Sequence, residues 1–169
     1  MWTSTRTLSF AVVMMLAAVS LASAQSSSPG GQVMFHWGPV HLAPGQAIAI
    51  NFELTDHLGG PLTLPVELQL EDKSGNLIYR GEVAVEDGHA VTFAIGPEIR
   101  LLRSLPADVY AAVGPEIRLL QPCLKVAWPP GPTSPVDRMT LTLEIIDVTT
   151  GRVVAVANNP HAIIGVLAQ

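Results

Sequence analysis

Cysteine is almost missing from this sequence. Of 169 residues only Cys123 carries a thiol, so one chain cannot form an internal disulfide. Stability must come from packing and backbone pairing. Cys123 itself, in QPCLKV, reads either as a small buried apolar residue or as a free thiol able to link two chains. Positive charge is also scarce. Nine Lys and Arg stand against fourteen Asp and Glu, a net charge of −5. Binding to nucleic-acid phosphates needs the opposite balance, and so does attraction to an anionic membrane surface. Aromatic residues make up 5 % of the chain, few for a carbohydrate cleft built on aromatic platforms. Catalytic signatures are lacking too. The sequence holds neither G-x-S-x-G nor G-x-x-x-x-G-K-[ST]. His36, His41, His57, His89 and His161 lie in no local nucleophile or acid–base motif. The expectation is therefore a protein that is not an enzyme and needs no cofactor.

What is present begins with MWTSTRTLSFAVVMMLAAVSLASAQ. Arg6 supplies early positive charge, residues 8–21 are apolar apart from Ser9 and Ser20, and Ala22-Ser23-Ala24 offers a small-x-small cleavage site. These are the parts of a secretory signal peptide, expected to span 1–24. The apolar run is shorter than the roughly 20 residues that a membrane span requires, and no later run reaches that length. The expected product is a secreted or periplasmic chain. Without Arg6 it keeps eight Lys and Arg against fourteen Asp and Glu, a charge near −6. QSSSPGGQ at 25–32 reads as a flexible leader, followed by one domain over 33–169, long enough to bury a core.

Period-two alternation runs through that domain. In PGQAIAINFEL, Ile48, Ile50, Phe52 and Leu54 share one face, with Ala49, Asn51 and Glu53 on the other. PVELQLE sets Val66, Leu68 and Leu70 inward against Glu67, Gln69 and Glu71. DKSGN is a turn, after which LIYRGEVAVE is expected to pair back as a hairpin. Asp87-Gly88 turns the chain again, and HAVTFAI alternates through Val91, Phe93 and Ile95. Near the end, RMTLTLEIID, the turn VTTG and RVVAVA form a second hairpin, and AIIGVLA reads as an edge strand or a short helix. Fourteen prolines and fourteen glycines punctuate these strands, the pattern of an all-β antiparallel sandwich of roughly 7–9 strands.

The middle of the chain is proline-rich, with Pro97, Pro106, Pro115, Pro122, Pro129, Pro130, Pro132 and Pro135. Proline lacks the N–H of a central strand, so strands here are expected to be short or at an edge, at 109–113 and 124–128. The same region says GPEIRLL twice, at 96–102 and 114–120. Aligning 91–108 over 109–126 matches nine of eighteen positions. Each copy reads as an apolar strand ending at Gly-Pro and a corner. Glu98 and Glu116 would face solvent, and Ile and Leu would cover an open end. A duplicated Glu-x-Arg binding element is the alternative.

Two places invite a functional reading. VMFHWGPVHLAPG brings His36 and His41 within five positions, near Met34 and Trp37. Imidazole and thioether together suit copper, so a metal or small-ligand carrier is the alternative reading, against the simpler one of two histidines flanking turns. WPPGPTSP, from Trp128, has polyproline character, and Trp128, Pro129, Pro130 and Pro132 are the candidate partner-binding residues.

APGQAIAINFEL, PVELQLEDKSGNLI and LTLEIIDVTTGRVV together resemble a class of small exported bacterial proteins. In these a PGQ turn leads into the first strand, a V-x-L-x-L-x-D-x-x-GN hairpin follows, and a LE-x-x-D-x-x-TGR hairpin closes the chain. The resemblance covers about half of the chain beyond residue 24. It implies a single immunoglobulin-like sandwich with no established activity, and it assigns no site residue. The functional expectation is a protein-interaction or cell-envelope module with a protein partner, binding through loops or by adding a partner's strand at a sheet edge.

Overall fold

The computed structural model describes residues 30–55, 62–130, 135–157 and 160–166. The expected signal peptide lies outside the described residues. Two sheets pack face to face. The first holds β1 (Gly31–His36), β2 (Val40–His41), β4 (Thr63–Glu71), β5 (Leu77–Glu86), β8 (Leu119–Trp128) and β11 (His161–Val166), in the order β11-β1-β8-β4-β5 with β2 paired to β8. The second runs β10-β9-β3-β6-β7, from β3 (Gln46–Leu54), β6 (Ala90–Gly96), β7 (Val109–Ala112), β9 (Met139–Asp147) and β10 (Arg152–Ala157). The architecture is an all-β sandwich, with eleven strands among the described residues where seven to nine are expected. β1 takes in the last two residues of the expected leader, Gly31 and Gln32.

The alternation explains the core. Ile48, Ile50, Phe52 and Leu54 from β3 meet Val66, Leu68 and Leu70 from β4, all without solvent exposure. Burial of each such side chain contributes about 1.5–3 kcal/mol. The β4–β5 and β9–β10 hairpins form as expected. Asp72 shapes the first turn, accepting from the backbone N–H of Ser74 (2.7 Å) and of Asn76 (3.0 Å). These bonds, led by the one from the Asn76 side chain, hold its carboxyl below the usual range. The last segment is an edge strand, not a helix.

Three expectations need correction. β8 is ten residues long and central, between β1 and β4, although it contains Pro122. The reason is positional. The Pro122 carbonyl accepts the Trp37 N–H (3.2 Å), just where the chain leaves β1 before β2. A strand residue directs its N and its C=O to the same neighbour, so the missing donor falls at the break between β1 and β2. The second correction concerns pairing. β6 and β7 are parallel, with Phe93 opposite Val109 and Gly96 opposite Ala112. The second sheet is therefore mixed. Residues 97–108 make the crossover, which contains a single helical turn, α1 (Ile99–Leu102).

The third correction is that the outer face of the second sheet is partly covered. Leu102 and Leu105 of the crossover pack on Ala47, Ala49, Ala94 and Ile146. Ala49, placed outward by alternation, is thus buried under the crossover.

Candidate functional site

The candidate binding loop begins in the wrong place for a partner. Trp128 is buried, 7 % exposed, at the end of β8 and within the main core. Its indole lies against Gly31, the residue opposite on β1, so closely that any Cβ there would overlap the ring. The residue is a core plug, not a contact surface. Pro129 and Pro130 remain exposed, and Pro132 lies outside the described residues. Trp37 closes the core near the other end of β8, beside Pro122. Both indole N–H groups are buried without a hydrogen-bond partner. Such an omission costs about 1–3 kcal/mol each, so both rings are held by apolar packing alone.

His36 and His41 separate. His41 is exposed on β2, paired with Leu119. It lines a shallow cleft of about 310 Å³ with Asp72, Lys73, Glu116, Arg118 and Leu119. His36 is half-buried on β1 and has turned to a residue 87 positions away: its Nε2 lies 3.7 Å from Cys123 Sγ. The register makes this contact, since His36 and Cys123 are direct partners across β1 and β8.

The outer face of the first sheet is a polar ladder built by that register. One row reads His161, His36, Cys123, Gln69, Arg80 across β11, β1, β8, β4 and β5. The next contains Met34, Lys125 and Glu67. Glu67, expected outward and wet, is 7 % exposed. A buried carboxylate needs partners. It pairs with Arg80 at 2.6 Å and also accepts from the Gln69 amide. Burial alone would raise its pKa; these two donors, with the charges of Arg80 and Lys125, more than offset it and leave the carboxyl below its usual value. Cys123 moves the other way. Burial, then the negative charges of Glu71 and Glu67, push the thiol up to about 11, against a smaller opposing pull from Lys125. A raised thiol pKa disfavours the thiolate, the nucleophilic form of cysteine. Among the described residues, no three His, Cys, Asp or Glu side chains are gathered around a metal position as they stand.

The two GPEIRLL copies do not build equivalent sites. Glu98 and Arg100 are exposed on the crossover, whereas Glu116 and half-buried Arg118 border the His41 cleft.

The edge strands β10 and β11 are different in character. All six residues of β10 are exposed, including Val153 (48 %), Val154 (57 %) and Val156 (54 %), and Ile163 on β11 is 52 % exposed. The registers set these side chains on different surfaces: Ile163 is opposite Met34, on the outer face of the first sheet, whereas Val153 and Val156 are opposite Ile146 and Glu144, on the outer face of the second. Regular pairing of β10 with β9 is interrupted at Val154 by a bulge. Sequence reasoning identified RVVAVA as a strand but not as an unburied one. The signal was available: Val153 and Val154 are consecutive apolar residues, which alternation cannot bury on one face.

No protein-family model matches the chain, and no curated protein or solved structure matches it either.

Proposed function

We propose that this protein is an exported, non-enzymatic sandwich module of immunoglobulin-like type. It binds an extended segment of a partner protein along its β10 edge. The observation that carries the reading is β10, a whole edge strand of exposed residues with three valines. Isolated exposed apolar residues are ordinary; a contiguous group on one sheet edge marks an interaction surface. The occupant is an apolar-alternating strand, because an edge strand offers unpaired backbone donors and acceptors that another strand in register satisfies. The bulge at Val154 limits the addition to the stretch beyond it, around Val156. The raised pKa of Cys123 supports the non-enzymatic part. Export rests on the N-terminal pattern of Arg6, an apolar run and Ala22-Ser23-Ala24.

A photo-crosslinking residue at Val156, with a matched one at exposed Ser74 as control, tests the binding side in envelope extracts. The expected result is one reproducible polypeptide adduct at Val156, absent from Ser74 and lost on adding Val154→Lys. Adducts only to a second copy of the chain would replace the partner by self-association. Equal labelling at both positions would defeat the reading.

A further inference from the structure

The ladder on the outer face of the first sheet sets a buried thiol, a half-buried imidazole and an exposed imidazole in one cross-strand row, at Cys123, His36 and His161. We propose that this row is a site for monovalent copper, held by Cys123 Sγ and His36 Nε2 with His161 as the third ligand.

Three observations support it. The first is a distance. Metal–sulfur and metal–nitrogen bonds of about 2.3 and 2.0–2.1 Å, opened to a trigonal or tetrahedral angle, separate S and N by roughly 3.5–3.8 Å. The Cys123–His36 separation is 3.7 Å, within that range. A weak thiol–imidazole hydrogen bond fills the same geometry in the metal-free protein. The second is placement. His161 is directly opposite His36 on an edge strand and its side chain is exposed, so completing the site requires its ring to swing toward the pair. The third is charge. Thiolate with a monovalent ion is neutral overall, which suits a position where Cys123 is 3 % exposed. Thiolate and imidazole are both ligands that Cu(I) accepts. Binding releases the thiol proton to solvent, as thiolate coordination requires. This site keeps His36 from the copper reading of the sequence and replaces His41, which lies on another strand, by residues 87 and 125 positions further on.

The test is anaerobic titration of the full chain with Cu(I) against a coloured copper(I) chelator, with copper-edge X-ray absorption on the loaded protein. The expected result is one equivalent bound, with a spectrum fitted by one sulfur and two imidazole nitrogens. Cys123→Ala and His36→Phe should each weaken binding by at least the roughly 10–100-fold that losing even an outer-shell partner costs. His161→Ala should weaken it less and reduce the nitrogen count by one. Circular dichroism of each variant guards against loss of fold. Failure to compete with the chelator, binding unchanged in Cys123→Ala, or a sulfur-free spectrum would each overturn the proposal. The outcome is independent of whether β10 binds a partner.

Discussion

The same seven residues, GPEIRLL, take two shapes in one molecule. At 96–102 the Gly closes strand β6 and Ile99–Leu102 form the helical turn α1. At 114–120 the Gly adopts φ +94°, Pro115 and Glu116 turn, and Leu119-Leu120 open the central strand β8. The burial partners differ as well. Leu102 packs on alanines outside the second sheet, while Leu120 lies between the sheets. A four-residue helix has no stability of its own, since nucleation alone is unfavourable. The heptad is therefore indifferent, and its flanks decide. RSLPAD follows the first copy and has no alternation to pair, so it folds into a crossover whose leucines cover exposed alanine. QPCLKV follows the second and presents apolar residues at every other position, which β4 and β1 take up. The difference teaches that a short repeat reports ancestry more faithfully than shape.

That comparison can be broken at four points. The largest expected effect is at the final leucine. Leu120→Ala should cost about 3–5 kcal/mol in urea denaturation, because its cavity would open in the main core. Leu102→Ala, in the small outer cluster, should cost about 2–3 kcal/mol. Equal losses would mean that the outer cluster is as integral as the inner one. Next comes the first glycine. A Cβ on Gly96 would sit 2.8 Å from Leu102 Cδ2, so Gly96→Ala should cost about 1–3 kcal/mol by overpacking. The double variant Gly96→Ala/Leu102→Ala should be less destabilised than the sum of its parts; strict additivity would remove α1 as the cause. Gly114→Ala should cost about 1–2 kcal/mol for a different reason, its left-handed backbone, and Leu102→Ala should leave that loss unchanged. Smallest of all are the glutamates. Glu98→Ala and Glu116→Ala should each stay within about 0.5 kcal/mol, as exposed positions do. A large effect at either would show that its carboxylate helps to hold the fold.

Much of the sandwich was legible because burial on one face writes a period of two into the sequence. Ile48 to Leu54 and Val66 to Leu70 display it without interruption, and their turns carry Gly or Asp where the backbone requires them. Legibility ended where non-local geometry decides. Pro122 argued against a central strand, and only the break between β1 and β2 reconciles the two. Glu67 alternated outward, yet Arg80 on the neighbouring strand lets it sink. Nothing local could bring His36 to Cys123, because strand register across 87 residues sets that contact. Trp128 looked like an exposed recognition residue because PPGP follows it. Its place as the last residue of β8 turns it inward instead.

The parallel β6–β7 pair gives the repeat a history. The strand before the second heptad lies beside the strand before the first at the rim of the second sheet, two residues out of the alignment that relates them. An even offset keeps each side chain on its original face. A tandem insertion placed there would have lengthened the protein sideways, adding one ribbon to the rim while every older ladder kept its neighbours. The sandwich is thus of a kind that can accept new strands at its border without being redesigned within.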